Sequence, residues 1–380
     1  MTEKKKIYLS SPTMHGDEQR FVQEAFDTNW VAPLGPNVNE FEKEMTSYMN
    51  CGSAAALSAG TAAIHLAVKL LNVEENDVVF CSSMTFSATC NPVAYEKARL
   101  VFIDSEPDTW NMSPAALKAA YERYPHPKAL IYVHLYGTPA KIDEITTICK
   151  EHNTPVIEDA AEALGSSYKG KRCGTFGKFG ILSFNGNKII TTSGGGMLLS
   201  DDAAAIERAK FLATQARDPA PYYQHSTIGY NYRMSNIVAG IGRGQLLHLE
   251  EHKKIKQKIY QQYQEAFADI ADITMNPMNP DGDANNWLSC ITLSEACKAG
   301  PYDIMDALRE ENIETRPIWK PMHLQPVYEG CDFFADPIGL ENPTGSVSED
   351  IFNRGLCLPS DIKNTEEDME RIIDIIRDMV

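Results

Sequence analysis

Nowhere does the chain run apolar for the roughly 20 consecutive residues that a bilayer span takes. Positive charge is in deficit too: 35 Lys and Arg stand against 52 Asp and Glu, a formal net charge of -17 at pH 7. Nucleic acids and anionic membranes are bound through a basic face, so neither partner is expected. Any anionic ligand must instead be met by a local cluster of donors. Paired cysteines are missing as well. The nine cysteines (Cys51, Cys81, Cys90, Cys149, Cys173, Cys290, Cys297, Cys331 and Cys357) are scattered singly, with no C-x-x-C pair and no histidine at metal-ligand spacing. Their odd number points to reduced thiols. After Lys4, Lys5 and Lys6 come Ile7, Tyr8 and Leu9 and then polar residues, so no signal-peptide core follows the charge. A cytoplasmic protein is expected. Internal repeats and low-complexity tracts are absent.

What is present suits a folded α/β protein. Hydrophobic residues make up 43% and charged residues 23%, enough to build a core without disulfides or metal. A chain of 380 residues exceeds the usual single domain of about 100–200. We therefore expect a large domain over 1–250 and a smaller α/β domain over 251–380. Between Gly52 and Leu199 short apolar runs alternate with helical patterns, which predicts a mostly parallel sheet flanked by helices, with strands near 78–81, 100–103, 129–134, 155–158, 180–184 and 196–199. Ligands of such sheets sit beyond the carboxyl ends of the strands. Residues 235–267 read as one helix leaving the large domain, with Glu250 set against Lys254 at i,i+4, although Gly240, Gly242 and Gly244 weaken its first half. A loop is predicted over 276–286, then a strand over 287–293 and a helix over 302–311. A last helix starts at Thr365, with Met369, Ile372, Ile373, Ile376 and Met379 on its apolar positions.

Three places carry chemistry. In Ser58-Ala59-Gly60-Thr61, a glycine and a threonine open an amphipathic helix, which is either a plain N-cap or a site for a phosphate dianion held by N–H groups and the helix dipole. The strand over 155–158 runs into Asp159, with Glu162 close behind. Asp159 is either a cap for the next element or a buried anion awaiting a cation, such as a protonated pyridine ring. Lys188 follows the strand-and-turn sequence Ser183-Phe184-Asn185-Gly186-Asn187 and precedes Thr191, Thr192, Ser193 and three glycines. It is either a solvated charge or a Schiff-base amine. The glycines lack the G-x-G-x-x-G spacing and lead into a strand, which argues against a dinucleotide loop.

Taken in order, the Gly60-Thr61 helix start, Thr85-Phe86, Glu158-Asp159-Ala160-Ala161, Ser183-Phe184 and Lys188 closely resemble the sugar-nucleotide aminotransferases of the DegT/StrS-type family. These are fold type I enzymes that use pyridoxal 5'-phosphate. The likeness runs from Tyr8-Leu9-Ser10-Ser11-Pro12 to Gly355-Leu356-Cys357-Leu358-Pro359-Ser360, nearly the whole chain. It implies a large domain with a mostly parallel seven-stranded sheet and a smaller C-terminal α/β domain. It also implies roles: Gly60, Thr61 and Ser183 for the cofactor phosphate, Asn231 completing that site in a second subunit of a homodimer, and Phe86 stacked on the pyridine ring. Asp159 would keep the ring nitrogen protonated, and Lys188 would hold the cofactor and move the proton. Deoxygenating members of the fold carry histidine in place of that lysine, so Lys188 points to amination. A regulatory protein that had lost turnover would be expected to have lost these residues.

Two departures narrow the resemblance. Many members have glutamine at the position of Glu162 and glutamate at that of Gly194. This pair, with the sequence from Ser183 to Gly196, is similar to the branch that aminates C4 of UDP-4-keto-6-deoxy-N-acetylglucosamine, with glutamate as the implied amino donor. By the same resemblance the segment 314–323 faces the sugar nucleotide. Arg316 and Lys320 would meet the diphosphate, while Trp319 and Pro321 either line the site or simply pack. His323 either binds the sugar or is a satisfied structural histidine.

Overall fold

Apolar runs buried on both faces of a sheet have no polar side to turn to water, and the runs of the first 200 residues become strands of this kind. The structure, a computed structural model, describes residues 4–380. The strands are β1 (Ser53–Leu57), β2 (Val78–Ser82), β3 (Arg99–Ile103), β4 (Ala129–Val133), β5 (Val156–Asp159), β6 (Ser167–Tyr168), β7 (Lys171–Arg172), β8 (Phe179–Ser183) and β9 (Gly196–Ser200). Then come β10 (Ile273–Met275), β11 (Gly282–Asp283), β12 (Ser289–Leu293), β13 (Arg316–Pro317), β14 (Asp332–Phe334) and β15 (Gly355–Leu358). Around them lie α1 (Asp17–Asp27), α2 (Pro36–Met49), α3 (Gly60–Leu70), α4 (Asn91–Tyr95), α5 (Pro114–Arg123), α6 (Ile142–Glu151) and α7 (Ala203–Ala213). The second half supplies α8 (Asn236–Leu246), α9 (Leu249–Phe267), α10 (Pro301–Glu310), α11 (Val347–Arg354) and α12 (Glu366–Met379).

The central sheet has the order β1-β9-β8-β5-β4-β2-β3-β14. Strand β9 is antiparallel to both β1 and β8, and the pairs from β8 across to β14 are parallel. The sheet therefore has eight strands where seven were expected. The eighth, β14, comes from the C-terminal third and pairs Asp332 with Val101 and Phe334 with Ile103. Three residues carry no period that a sequence pattern could reveal. One face of the sheet packs Phe41, Met45, Leu117 and Ile145. The other packs Ile64, Val68 and Ile206.

A second sheet, β10-β12-β15-β13, is antiparallel and is covered by Ile259 and Tyr263 of α9, Ile304 and Leu308 of α10, and Ile372 and Ile376 of α12. Thr365 caps α12 through a capping box with Asp368, which explains why the helix starts where the sequence indicated. One long helix joins the two cores. Helix α9 begins in the first core at Leu249 and ends in the second at Phe267. Ile7 also belongs to the second core, donating from its N–H to the Asn312 carbonyl and accepting from the Glu314 N–H.

The helix expected over 235–267 is two helices, broken at Leu247 and His248. Gly244 lies so close to α1 that a Cβ there would come within 2.5 Å of the Glu18 backbone nitrogen. Its glycine serves close packing, at the expense of helix propensity. Glu250 does not pair with Lys254. It takes the Arg172 guanidinium at 2.9 Å and the Tyr48 hydroxyl at 2.6 Å, because a fork and a hydroxyl from other elements reach it across the fold. The predicted loop over 276–286 includes β11, which pairs with β6. Among the described residues no helix is long and apolar enough to cross a membrane.

Candidate active site

Parallel strands bring their carboxyl ends to one edge, and there β1, β5 and β8 deliver Gly60, Asp159 and Lys188 to a cavity of about 900 Å3. Antiparallel β9 starts at the same edge, with Gly196 between Leu57 of β1 and Ser183 of β8. A Cβ on Gly196 would stand 2.3 Å from the Gly60 nitrogen, so this strand crossing requires glycine. Gly60 in turn opens α3 with no side-chain cap. Its first hydrogen bond runs from the Ala63 N–H to the Ala59 carbonyl, so the preceding amides and the dipole end are available to an anion. Thr61 and Ser183 line the same cavity.

Asp159 is buried. Its Oδ2 accepts from the Thr89 hydroxyl at 2.6 Å, and its Oδ1 accepts from the Ala161 N–H at 3.2 Å. Because Thr89 donates to the carboxylate, Thr85, 2.6 Å away, must donate to Thr89. Burial pushes the Asp159 carboxyl up, against the pull of Thr89, Ala161, Lys188 and His134. A buried carboxyl held in this way is complementary to a cation placed in the cavity, and a protonated pyridine nitrogen supplies one. The uncapped helix start fits the same cofactor's phosphate.

The Lys188 amine lies 3.9 Å from Glu162 Oε1 and 3.9 Å from the centre of the Trp287 ring. Trp287 is locked in turn, its indole N–H donating to the Asn187 carbonyl at 2.6 Å. Burial pushes the lysine down, while Glu162 and Asp159 oppose that shift. Burial also pushes the Glu162 carboxyl up from its ordinary 4.5 to about 7, against the pull of Lys188 and of the Tyr136 N–H that donates to it at 2.6 Å. Both shifts favour a neutral amine beside a neutral acid.

This has a measurable consequence. The unfolded chain releases the Glu162 proton near pH 4.5, whereas the folded chain keeps it to about pH 7. Between those values the unfolded state binds fewer protons, so the contribution of this group to stability falls as pH rises and stays lower above. In cofactor-free Glu162→Gln protein that part of the pH dependence should vanish. Urea midpoints should show the variant gaining on the wild type between about pH 5 and about pH 8. An equal gap at both values would mean that Glu162 is already ionised at the lower one.

The remaining expected residues divide. Phe86 is exposed in the cavity, 5.6 Å from Trp319 between ring centres, and Arg316 and Lys320 also line it. The Arg316 guanidinium is held by Glu314 at 2.6 Å and remains 60% exposed, leaving donors for a ligand. His323 lies outside the cavity lining. Its Nδ1 meets the Ser83 hydroxyl at 2.6 Å, its Nε2 meets Glu349 at 3.0 Å, and its ring stacks on Phe333. Both of its nitrogens have protein partners, as a structural histidine requires. Asn231 is exposed and outside this chain's own cavity, in an isolated bridge to Thr214. Thr89, Trp287 and the Tyr136 amide were missed by sequence reasoning. The adjacent Asn285-Asn286-Trp287 could have hinted at an ordered turn, but nothing local signals that it reaches Lys188 across about 100 residues.

Comparison with known proteins agrees with this geometry. Residues 12–377 match the DegT/DnrJ/EryC1/StrS aminotransferase family. EpsN of Bacillus subtilis (strain 168) is 54% identical over 376 residues, covering 98% of this chain and 95% of that protein. The GDP-perosamine synthase of Caulobacter vibrioides is 34% identical over 374 residues, 98% of each chain. The crystal structure of a DegT DnrJ EryC1 StrS aminotransferase from Brucella abortus superposes with a TM-score of 0.86 at 28% identity, over 96% of this chain and 95% of that one. Neither domain falls outside a match of that length, and the chain belongs to this family: it is a fold type I transaminase that works with pyridoxal phosphate.

Proposed function

We propose that the enzyme aminates C4 of UDP-4-keto-6-deoxy-N-acetylglucosamine, with glutamate as amino donor, to give the 4-amino-4,6-dideoxy sugar nucleotide. The observation that carries this reading is the presence of both Glu162 and Gly194 in the lining of the cavity. A Cβ on Gly194 would meet nothing within 4 Å, so the glycine leaves room where many relatives carry glutamate. Glu162 supplies, close to Lys188, a carboxyl that can hydrogen-bond a sugar hydroxyl or amide. Arg316 and Lys320 bring two cations to the cavity of an acidic protein, as a nucleoside diphosphate requires.

Bound pyridoxal phosphate supplies the electron sink and carries the amino group between donor and keto sugar. Lys188 holds the cofactor between turnovers, then takes and returns the proton at the reacting carbon through Nζ. Asp159, fixed by Thr89 and the Ala161 amide, stabilises positive charge on the pyridine nitrogen. Gly60, Thr61 and Ser183 receive the phosphate, and Phe86 offers a ring face to the pyridine. The Trp287 ring lies against the lysine amine.

A guanosine-linked keto sugar is the competing substrate, because GDP-perosamine synthases are among the relatives. The decisive measurement is kcat/KM, with glutamate as donor, for the UDP sugar against dTDP-4-keto-6-deoxyglucose and GDP-4-keto-6-deoxymannose. Each buried polar group left unpaired by a wrong substrate costs about 1–3 kcal/mol, so a preference of at least about tenfold is expected. A clear preference for either analogue, or an amine found at C3 by NMR, would refute the substrate and leave the transaminase intact.

The functional unit in this reading is a homodimer in which Asn231 completes the neighbour's site. Support comes from the exposure of Asn231 and from Tyr222, Tyr223 and Ile228, each at least 65% exposed on the preceding segment. Large apolar side chains grouped in this way suit an interface. Mixing an inactive Lys188→Ala chain with an inactive Asn231→Ala chain should restore one working site per heterodimer. No recovery despite demonstrated subunit exchange would place each site within one chain.

A further inference from the structure

Outside the cavity, three imidazoles converge where the N-terminal arm meets the start of α9. The rings of His15 and His248 stack with centres 3.7 Å apart, and His15 Nε2 stands 2.7 Å from His252 Nε2. His252 Nδ1 lies 2.8 Å from the Ile189 carbonyl, which can only accept. The N–H is thus on Nδ1, and His252 Nε2 accepts from the Nε2–H of His15. A hydrogen bond that fixes the far nitrogen of a ring is the usual support of a metal-binding histidine. Two carboxylates join the group: Asp17 Oδ2 is 3.0 Å from His248 Nε2, and Glu251 Oε2 is 3.3 Å from His248 Nδ1.

Donor atoms of His15, His248 and Glu251 lie within 4.8 Å of one another. Ligands about 2.1 Å from a common zinc ion can stand up to about 4.2 Å apart, so turning an exposed side chain such as His15 closes the set. The buried group His134, Glu158 and Cys173 is a useful contrast. There His134 Nδ1 accepts from the Ala140 N–H, its Nε2 meets Glu158, and Glu158 also takes the amides of Gly174, Phe176 and Gly177. No donor atom of that histidine or carboxylate is left for an ion. At the α9 cluster His15 and Glu251 are exposed side chains that can turn a donor atom toward an ion.

We propose that His15, His248 and Glu251, with His252 holding His15 in place, form a binding site for a divalent transition-metal cation of the zinc class. Mixed imidazole and carboxylate donors suit zinc and its neighbours better than magnesium or calcium. The bound ion ties the N-terminal arm, whose Leu9 and Ser10 line the main cavity, to the start of α9, where His252 holds the Ile189 carbonyl.

The test uses holoenzyme treated with a chelator, desalted and titrated with zinc chloride, the bound metal being counted by mass spectrometry after gel filtration. One zinc per chain is expected. His15→Ala and Glu251→Gln alter exposed side chains, so both variants should fold and keep cofactor absorbance. His15→Ala should weaken zinc binding by more than the roughly 10–100-fold that loss of a ligand's supporting partner costs. Cobalt substitution separates this site from the nine cysteines: nitrogen and oxygen ligands give d–d bands without thiolate charge transfer. Zinc binding unchanged in His15→Ala, a thiolate band, or no retained metal would overturn the proposal.

Discussion

Lys188→Ala holoenzyme should show no measurable steady-state transamination, while its fold and assembly match the wild type. Loss of proton transfer alone is worth about 10^2–10^4-fold, and the covalent hold on the cofactor goes with it. Folding should survive for a specific reason. The side chain removed is buried against Trp287 and Glu162, and Glu162 is already driven toward its neutral form by burial, so no bare buried anion is left at neutral pH. Single-turnover assays with glutamate, alongside circular dichroism and gel filtration, separate lost chemistry from lost structure. Turnover near the wild-type rate would remove Lys188 from the mechanism.

Asp159→Asn should lower kcat by about 10^2–10^3, the scale of losing one preorganised electrostatic contact to developing charge. An amide cannot balance a protonated pyridine nitrogen. The substitution is nevertheless nearly isosteric, with Oδ1 still able to accept from the Ala161 N–H and the Thr89 hydroxyl able to turn and accept from the new amide. Because burial already opposes ionisation of Asp159, the variant without cofactor should melt no lower than the wild type. Ordinary rates with bound cofactor would reassign the residue. A collapse of the melting temperature would make it a structural anchor instead.

Sequence legibility followed the range of the interactions. Gly60, Asp159 and Ser183 each stand at a strand end or helix start that short patterns reveal, with Lys188 in the turn that follows β8, and parallel strands of one sheet necessarily carry such ends to a common edge. Three features were hidden because their partners are remote: the Glu250–Arg172 pair, the β14–β3 pairing, and the placing of Trp287 under Lys188. The expected i,i+4 pair Glu250–Lys254 lost to a guanidinium and a hydroxyl that only folding brings near. Gly240, Gly242 and Gly244 read as helix weakeners, yet α8 forms, and at Gly244 the missing side chain admits the backbone of α1.

The sequence by itself determined the alternation of strands and helices, because a strand's period is a local property, and its resemblance to a known family implied the cofactor chemistry. Only the tertiary structure decided which side chains surround those ends. It placed Thr89 on Asp159, spent both nitrogens of His323 on Ser83 and Glu349, and gathered His15 with His248 and His252. Each of those contacts joins residues at least 26 positions apart, except the pair His248 and His252, which one turn of α9 holds together. Hydrogen bonds and burial act through space, and chain separation carries no information about them until the core has packed.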